Sequence, residues 1–330
     1  FQIQCMIIGD NQMNILSFLK LVEIQTKVAS VIPFLIGTLY CIYRYNTFIL
    51  KNFILMFISL LCIDMATTAI NNYQDYKKAI KKHGYGYEYH NAIVSHKLNV
   101  KKVREIIYVL MVLAVTFGLL LYINTNIIVL FVGAVSFTVG ILYSYGPLPI
   151  SRTPFGEILS GFTMGFFIIF LAIYIHIFDK DFIMLAIYKG IVNIQFNLIE
   201  LIYVFLISLT SIISIANIML ANNICDIEED IENKRYTLPI YIGKDRGLKI
   251  FKISYYLIYV AIMISIGLRI LPYVSILILT TLIPVNKNIK AFYEYQSKKD
   301  TFVLAVKNFL IINGTLALTL LIGLLISIVH

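Results

Sequence analysis

Long runs of apolar residues, separated by short polar segments, dominate this chain from near its beginning to its end. Most of these runs reach the roughly 20 residues that an α-helix needs to cross a bilayer. Hydropathy along the chain therefore predicts about nine transmembrane helices, of which the eighth is the shortest. The predicted spans are 17–43, 49–76, 103–123, 126–145, 155–178, 197–223, 249–269, 271–286 and 303–328.

The composition agrees with a protein that lies mostly within a membrane. Hydrophobic residues make up 59% of the 330 residues and charged residues only 14%, whereas a soluble domain has about 25% charged residues. The mean hydropathy is +0.84. We therefore expect an all-α polytopic membrane protein with a single domain over residues 15–330. Residues 1–14 are expected to be an N-terminal extension, with Met13 as an alternative start.

Lysine and arginine are distributed unevenly between the two ends of the predicted helices. Twenty of the 27 lie in or beside the segments after the second, fourth, sixth and eighth spans, and only five lie in the intervening segments. Because positively charged loops remain in the cytoplasm, we predict a cell-membrane protein with a cytoplasmic N-terminus. The net charge of +9 then follows from topology and lipid headgroups, and nucleic acid is not expected as a partner.

Two polar clusters follow this pattern at the cytoplasmic ends of the second and sixth spans. The first contains Asn71 and Asp75, and the second contains Asn222, Asp226 and Asp230. Residues four apart lie on one face of a helix, so each cluster is predicted to present its oxygen atoms together. Ionisable residues at membrane depth are costly and usually functional. These clusters are therefore the candidate functional site.

The residue types in the clusters favour a hard cation with an anionic substrate. Carboxylate and amide oxygens without nearby Cys or His suit Mg²⁺, which usually binds a few carboxylates together with substrate phosphates. Basic residues follow both clusters and could bind a diphosphate. The alternative is that the acids are ordinary solvated helix ends paired with lysines. The basic residues are Lys77, Lys78, Lys81 and Lys82 after the first cluster, and Lys234 and Arg235 after the second.

Three segments carry a resemblance to a known family. They are LANNICDIEED at 220–230 with KRYTL at 234–238, YSYGPLPI at 143–150 with Gly156, Glu157 and Gly161, and TKVASVIP at 26–33 with Gly37 and Thr38. With these segments the chain resembles the UbiA superfamily of membrane prenyltransferases, and within it the 1,4-dihydroxy-2-naphthoate prenyltransferases of the MenA type. The resemblance covers roughly residues 20–325.

The resemblance implies a helical bundle with a central cavity and a Mg²⁺-dependent reaction. A polyprenyl group would pass from a prenyl diphosphate to a small aromatic acceptor, with 1,4-dihydroxy-2-naphthoate, in menaquinone biosynthesis, as the first expectation. It implies that Asp75, Asp226 and Asp230 bind the metal and that Asn71 and Asn222 orient waters or diphosphate oxygens. Expected substrate contacts are Lys78, Arg152, Asn223, Lys234 and Arg235, with Tyr143 and Tyr145 beside the developing carbocation.

Both motifs depart from the usual family pattern, which leaves alternatives open. In the first motif, Asn72 stands where the family has an Asp, and Ala79 replaces the last Asp. In the second motif, Cys225 stands where the MenA type commonly has Arg. Glu88, another loop residue or the substrate would have to supply the missing oxygen. The acceptor could instead be a benzoate, haem or a sugar phosphate. A membrane transporter with a cation pathway is the alternative outside the enzymes.

Overall fold

The structure, a computed structural model, describes residues 14–78, 91–189 and 191–329. Within these ranges, eight helices are long and apolar enough to cross a membrane. They and one shorter helix are numbered in chain order. The helices are α1 Val28–Tyr45, α2 Leu50–Lys78, α3 Val100–Ile123, α4 Ile127–Ser144, α5 Gly156–Ile177, α6 Leu198–Cys225, α7 Lys244–Gly267, α8 Leu282–Glu294 and α9 Phe302–Val329.

The eighth predicted span is helical, but its first half is not an α-helix. Tyr273–Thr281 forms a 3₁₀-helix that leads directly into α8. A 3₁₀-helix rises about 2.0 Å per residue, so the segment extends further than its residue count suggests. It packs between α7 and α9. Thr281 at its end shares a hydrogen bond with the Tyr259 hydroxyl of α7 (2.8 Å), and Ser275 donates to Thr319 of α9 (3.1 Å). In the following α8, Asn286 accepts from Tyr256 (2.9 Å) and Asn288 donates to Asn308 (2.8 Å).

Helix α5 lies at the centre of the bundle. Its middle part, Gly161–Phe167, is a π-helix, and every residue of the following Ile168–Ile177 stretch is buried. Glycines let its backbone touch the neighbouring helices. A Cβ on Gly165 would lie 2.4 Å from the backbone nitrogen of Ile212 in α6, and a Cβ on Gly37 of α1 would lie 2.7 Å from the Ile169 carbonyl oxygen. Such small-residue contacts replace the hydrophobic driving force that is missing within lipid.

The loops after α4, α6 and α8 meet at one end of the bundle. The Tyr236 N–H donates to the Arg152 carbonyl at 3.1 Å, which joins the α4–α5 loop to the segment after α6. Lys298, between α8 and α9, forms an ion pair with Asp226 at the end of α6. We call this the acidic end. The chain crosses the membrane once per predicted span, and this crossing order places the basic loops and both polar clusters at this same end.

The opposite end carries a β-hairpin that adds to the expected helical fold. Ile183–Tyr188 pairs antiparallel with Ile191–Phe196, with Ile183 opposite Phe196. β-branched residues on both sides of Lys189-Gly190 are a hairpin pattern, and Lys189 has a φ of 47°. At the same end Arg44 donates to Glu200 at 2.5 Å. The hairpin therefore lies far from the acidic end.

Candidate active site

The second polar cluster lies where α6 ends. Asp226 has a φ of −101° and a ψ of 10° and separates α6 from the short helix Ile227–Glu232. Helical hydrogen bonding continues across this junction, because the Asp226 N–H donates to the Asn222 carbonyl at 3.1 Å and the Asp230 N–H to the Asp226 carbonyl at 2.7 Å. The one-turn spacing of Asn222, Asp226 and Asp230 that the sequence predicts is therefore kept, although α6 itself stops at Cys225.

Each carboxylate of this cluster has a cationic partner. Lys298 Nζ pairs with Asp226 Oδ2, and Arg235 Nε lies 3.3 Å from Asp230 Oδ1. The Thr237 hydroxyl also donates to Asp230 Oδ2 at 3.2 Å. Burial raises the pKa of Asp230 to about 6, while Arg235 acts in the opposite direction. The Asp226 and Asp230 side chains are only 7% and 3% exposed. Their negative charges are therefore costly to bury unless the cationic partners offset that cost.

The first cluster lies at the end of α2 and faces the same basic groups. Asn71 and Asp75 are both exposed, one helical turn apart. The side chains of Arg235, Arg152 and Lys298 lie close enough to Asp75 to stabilise its negative charge. Arg235 and Lys298 also pair with Asp230 and Asp226, so the same two cations act on the acids of both clusters.

Asn72 is buried and its side chain makes structural contacts. Its amide nitrogen donates to the Leu21 carbonyl at 3.2 Å and to Glu23 Oε1 at 3.1 Å. Its own carbonyl accepts from Asn91 Nδ2 at 2.8 Å. The residue that stands in place of the family's Asp therefore anchors the segment before α1 and the segment before α3. Ala79 and Glu88, the other positions relevant to the first motif, lie outside the described residues.

A buried carboxylate that the sequence reasoning does not assign lies beside the second cluster. Glu157, near the start of α5, is 3% exposed and accepts a hydrogen bond from Asn223 Nδ2 at 2.8 Å. Among the described residues, its second oxygen, Oε2, has no hydrogen-bond partner, and neither has the buried hydroxyl of Tyr143. Asn223, expected to contact substrate, is thus bound to Glu157, and two buried polar atoms nearby remain without protein partners.

The fold places only some of the remaining predicted substrate contacts near the acid clusters. Tyr145 is 54% exposed at the end of α4. Lys234 is exposed and has a φ of 54°, and no acid in the described ranges forms an ion pair with it. Lys78 ends α2, but its side chain lies outside what the structure describes. Among the basic candidates whose side chains the structure describes, Arg152 and Arg235 lie near the acids.

The chain is similar to known proteins over most of its length. The profile of the UbiA prenyltransferase family matches residues 30–314. The chain belongs to the UbiA prenyltransferase family. A relative from Bacillus subtilis (strain 168), 1,4-dihydroxy-2-naphthoate octaprenyltransferase, is 30% identical over 315 residues, which cover 93% of this chain and 92% of the relative.

Solved structures of UbiA homologues share the fold at low sequence identity. One from Aeropyrum pernix K1 has a TM-score of 0.66 at 16% identity and covers 89% of this chain and 98% of its own. One from Archaeoglobus fulgidus, bound to GPP and Mg²⁺, has a TM-score of 0.63 at 13% identity and covers 93% and 99%. The expected fold class and the prenyltransferase prediction are confirmed, and the family membership argues against the transporter alternative.

The donor atoms at the acidic end suit a magnesium ion. Asp226 and Asp230 are buried carboxylates one turn apart, and the neighbouring side chain Asn222 adds an amide oxygen. Within the described ranges, no group of three or more His, Cys, Asp or Glu converges on one centre. Mg²⁺ commonly uses only one or two protein carboxylates and completes its coordination with water and substrate phosphates. The residues present therefore fit a metal that is shared with a phosphate substrate.

Two residues of the site, Glu157 and Lys298, are missed by reasoning from the sequence. Lys298 is one of several lysines after the eighth predicted span, and nothing in its local sequence separates it from those that only set topology. Glu157 has a usable signal, because it is an acid near the start of an apolar span, seven residues after the YSYGPLPI segment. Such acids are functional candidates by default.

Proposed function

We propose that this enzyme transfers a polyprenyl group from a prenyl diphosphate to 1,4-dihydroxy-2-naphthoate, with Mg²⁺ as cofactor. The acceptor is supported by the similarity to the Bacillus subtilis octaprenyltransferase. The observation that carries the proposal is the arrangement at the acidic end. There Asp226 and Asp230 lie beside cations that also act on Asp75 of the facing cluster, as a metal-bridged diphosphate requires.

The side chains divide into metal ligands and diphosphate contacts. In this proposal Asp75, Asp226 and Asp230 hold the metal, and Asn71 and Asn222 orient its waters or the diphosphate oxygens. Bound Mg²⁺ supplies positive charge to the diphosphate oxygens. Arg152 and Arg235 are the main basic contacts to the diphosphate, since both already lie near the acids. Lys78, Lys234 and Asn223 are retained as further substrate contacts.

These groups act on the departure of the diphosphate. The bond between the allylic carbon and oxygen breaks, and its electron pair leaves with the diphosphate, whose growing charge Arg152 and Arg235 stabilise. The allylic carbon then bonds to a ring carbon of the acceptor, which loses carbon dioxide or a proton to restore aromaticity. Tyr143 and Tyr145 are proposed to stabilise the positive allylic carbon through their ring faces. Tyr143 is the better placed of the two, because Tyr145 is 54% exposed.

The acidic end is proposed to face the cytoplasm of the cell. The excess of Lys and Arg in the loops at this end supports that orientation. Prenyl chains are apolar, and the lipid-exposed surface of the helices would let such a chain reach the site from the bilayer. A diphosphate headgroup would then bind at the membrane surface, where the acids and arginines lie.

The proposal is tested with purified protein in detergent, a labelled polyprenyl diphosphate and a panel of acceptors. We expect prenylated product with 1,4-dihydroxy-2-naphthoate and Mg²⁺, and no product after chelation by EDTA. Product with a benzoate, haem or sugar phosphate but none with the naphthoate would show that the acceptor is wrong and the reaction class right. Absence of turnover with every acceptor in a folded preparation would contradict the proposal as a whole.

A further inference from the structure

Lys298 forms an ion pair with Asp226, a carboxylate that the proposed function makes a metal ligand. Its ammonium group pairs with Oδ2 of Asp226, whose side chain is 7% exposed, while Lys298 itself is 45% exposed. The same ammonium lies close enough to act on the charge of Asp75. A single lysine from the α8–α9 loop therefore pairs with one acid cluster and acts electrostatically on the other, and the proposed function assigns both clusters to a metal ion.

The loop that carries Lys298 is held in place by its own hydrogen bonds. Ser297 Oγ donates to Asp300 Oδ2 at 2.9 Å, and the Asp300 N–H donates back to that hydroxyl at 3.2 Å. The Thr301 N–H donates to the Ser297 carbonyl at 2.9 Å, and the Ser297 N–H donates to Thr301 Oγ1 at 2.8 Å. An exposed ion pair often contributes little because two mobile side chains must be ordered. Here the hydrogen bonds of the loop fix the backbone around Lys298, and the Asp226 side chain is nearly buried, so the main cost is the ordering of the Lys298 side chain.

An ammonium group and a divalent cation compete for the same carboxylate oxygen. Asp226 is nearly buried, so removing its cation without a replacement would leave a costly charge. A metal ion that arrives alone must displace Lys298 and leave the ammonium without its partner. A diphosphate changes this balance, because its oxygens offer Lys298 a new anionic partner.

We propose that Lys298 is an internal counter-ion that makes metal binding depend on the diphosphate. It holds Asp226 while the site is empty, weakens the binding of metal alone, and transfers to the diphosphate when metal and substrate bind together. This inference rests on the proposed function, since it requires that Asp226 is a metal ligand. By linkage, a residue that couples two ligands must affect both affinities.

The proposal predicts opposite effects of one substitution on the two ligands. Lys298→Gln should tighten the binding of metal alone by about fivefold or more, because the competing cation is gone. The same substitution should raise KM for the prenyl diphosphate at saturating metal by about fivefold, because the diphosphate loses a contact. A residue with a merely structural role would weaken both or change neither. Lys299→Gln is the matched control, since Lys299 is exposed in the same loop.

The decisive measurement is titration of the purified, substrate-free protein with Mn²⁺, read out by electron paramagnetic resonance of the free ion. Wild type, Lys298→Gln, Lys299→Gln and Asp226→Asn are compared after size-exclusion chromatography has shown that each is folded. Tighter Mn²⁺ binding in Lys298→Gln alone supports the inference. Unchanged or weaker binding in that variant overturns it, and leaves the proposed function intact if Asp226→Asn binds less Mn²⁺ than wild type. Equal binding by Asp226→Asn and wild type would overturn both the inference and the metal assignment.

Discussion

Lys27 Nζ lies 2.6 Å from Asp64 Oδ1, and the two side chains are only 5% and 13% exposed. The pair joins the start of α1 to the middle of α2. The Lys27 ammonium also donates to the Thr68 hydroxyl at 2.7 Å, and Ser30 Oγ donates to the other Asp64 oxygen at 2.5 Å. Asp64 and Thr68 continue the face of α2 that ends in Asn71 and Asp75, so the pair fixes the helix that carries the first acid cluster.

Breaking this pair on one side should destabilise the enzyme strongly. Lys27→Met or Asp64→Asn leaves a buried charge without its partner, which typically costs about 3–5 kcal/mol. The double variant Lys27→Met with Asp64→Leu removes both charges and should recover most of the loss. Thermal unfolding in detergent measures all three. A double variant that is no more stable than either single one would contradict this account.

Neutralising the acids of the second cluster should abolish turnover without preventing insertion into the membrane. We expect Asp226→Asn and Asp230→Asn each to reduce kcat/KM by about 100-fold or more, because charge stabilisation is usually the largest catalytic contribution. Glu228→Gln is the control, since Glu228 is an exposed acid of the same short helix. Prenyl transfer and membrane fractionation are measured together. Near-normal activity in both Asp variants would exclude them as metal ligands.

The raised pKa of Asp230 predicts how the stability of the metal-free enzyme depends on pH. The ordinary value of 3.8 is raised to about 6 by burial, so the folded protein binds this proton more tightly than the unfolded chain. Stability therefore falls as pH rises from about 4 through about 6. Asp230→Asn stays neutral and should unfold at a higher temperature than wild type at pH 7.5 in EDTA, with the difference shrinking at pH 5. A constant difference at both pH values would contradict the assignment.

The close contact between α5 and α6 should tolerate no side chain at Gly165. A Cβ there would lie 2.4 Å from the Ile212 backbone nitrogen, and backbone cannot move aside as a flexible side chain can. Gly165→Ala should lower the thermal midpoint by several degrees or prevent accumulation of folded protein. Gly133→Ala in α4 is the control, because a Cβ there meets nothing within 4 Å. Equal stability of the two variants would show that the helices can separate at little cost.

Glu157→Ala and Glu157→Gln should differ in their effect on thermal stability. Glu157→Gln keeps an oxygen for the 2.8 Å hydrogen bond from Asn223, so we expect a thermal midpoint close to that of wild type. Glu157→Ala leaves the buried Asn223 amide without an acceptor, at a cost of about 1–3 kcal/mol. Thermal unfolding of both variants checks this. A Gln variant as unstable as the Ala variant would show that the carboxylate charge, and not the hydrogen bond, is what the structure requires.

The sequence by itself determined the class of the protein, the positions of its helices and the end at which its acids lie. The sixth span, predicted at 197–223, is found at Leu198–Cys225, because a continuous apolar run can cross a bilayer only as a helix. Asp75 lies at the end of the second span and Asp226 just after the sixth. Because both spans are even-numbered, they end on the same side of the membrane. Hydropathy and spacing are local properties, and each can be read along the chain without knowing any partner.

Only the tertiary structure decided which of these polar groups contact one another. Asn72 and Asn71 are adjacent in sequence, yet Asn72 bonds to Leu21 and Glu23 while Asn71 shares the face of Asp75. Lys298 lies 72 residues from Asp226 and pairs with it, whereas Lys234 lies much closer in sequence and does not. The partner of a charge depends on how distant helices pack and on which groups that packing buries. No pattern along the chain contains that information.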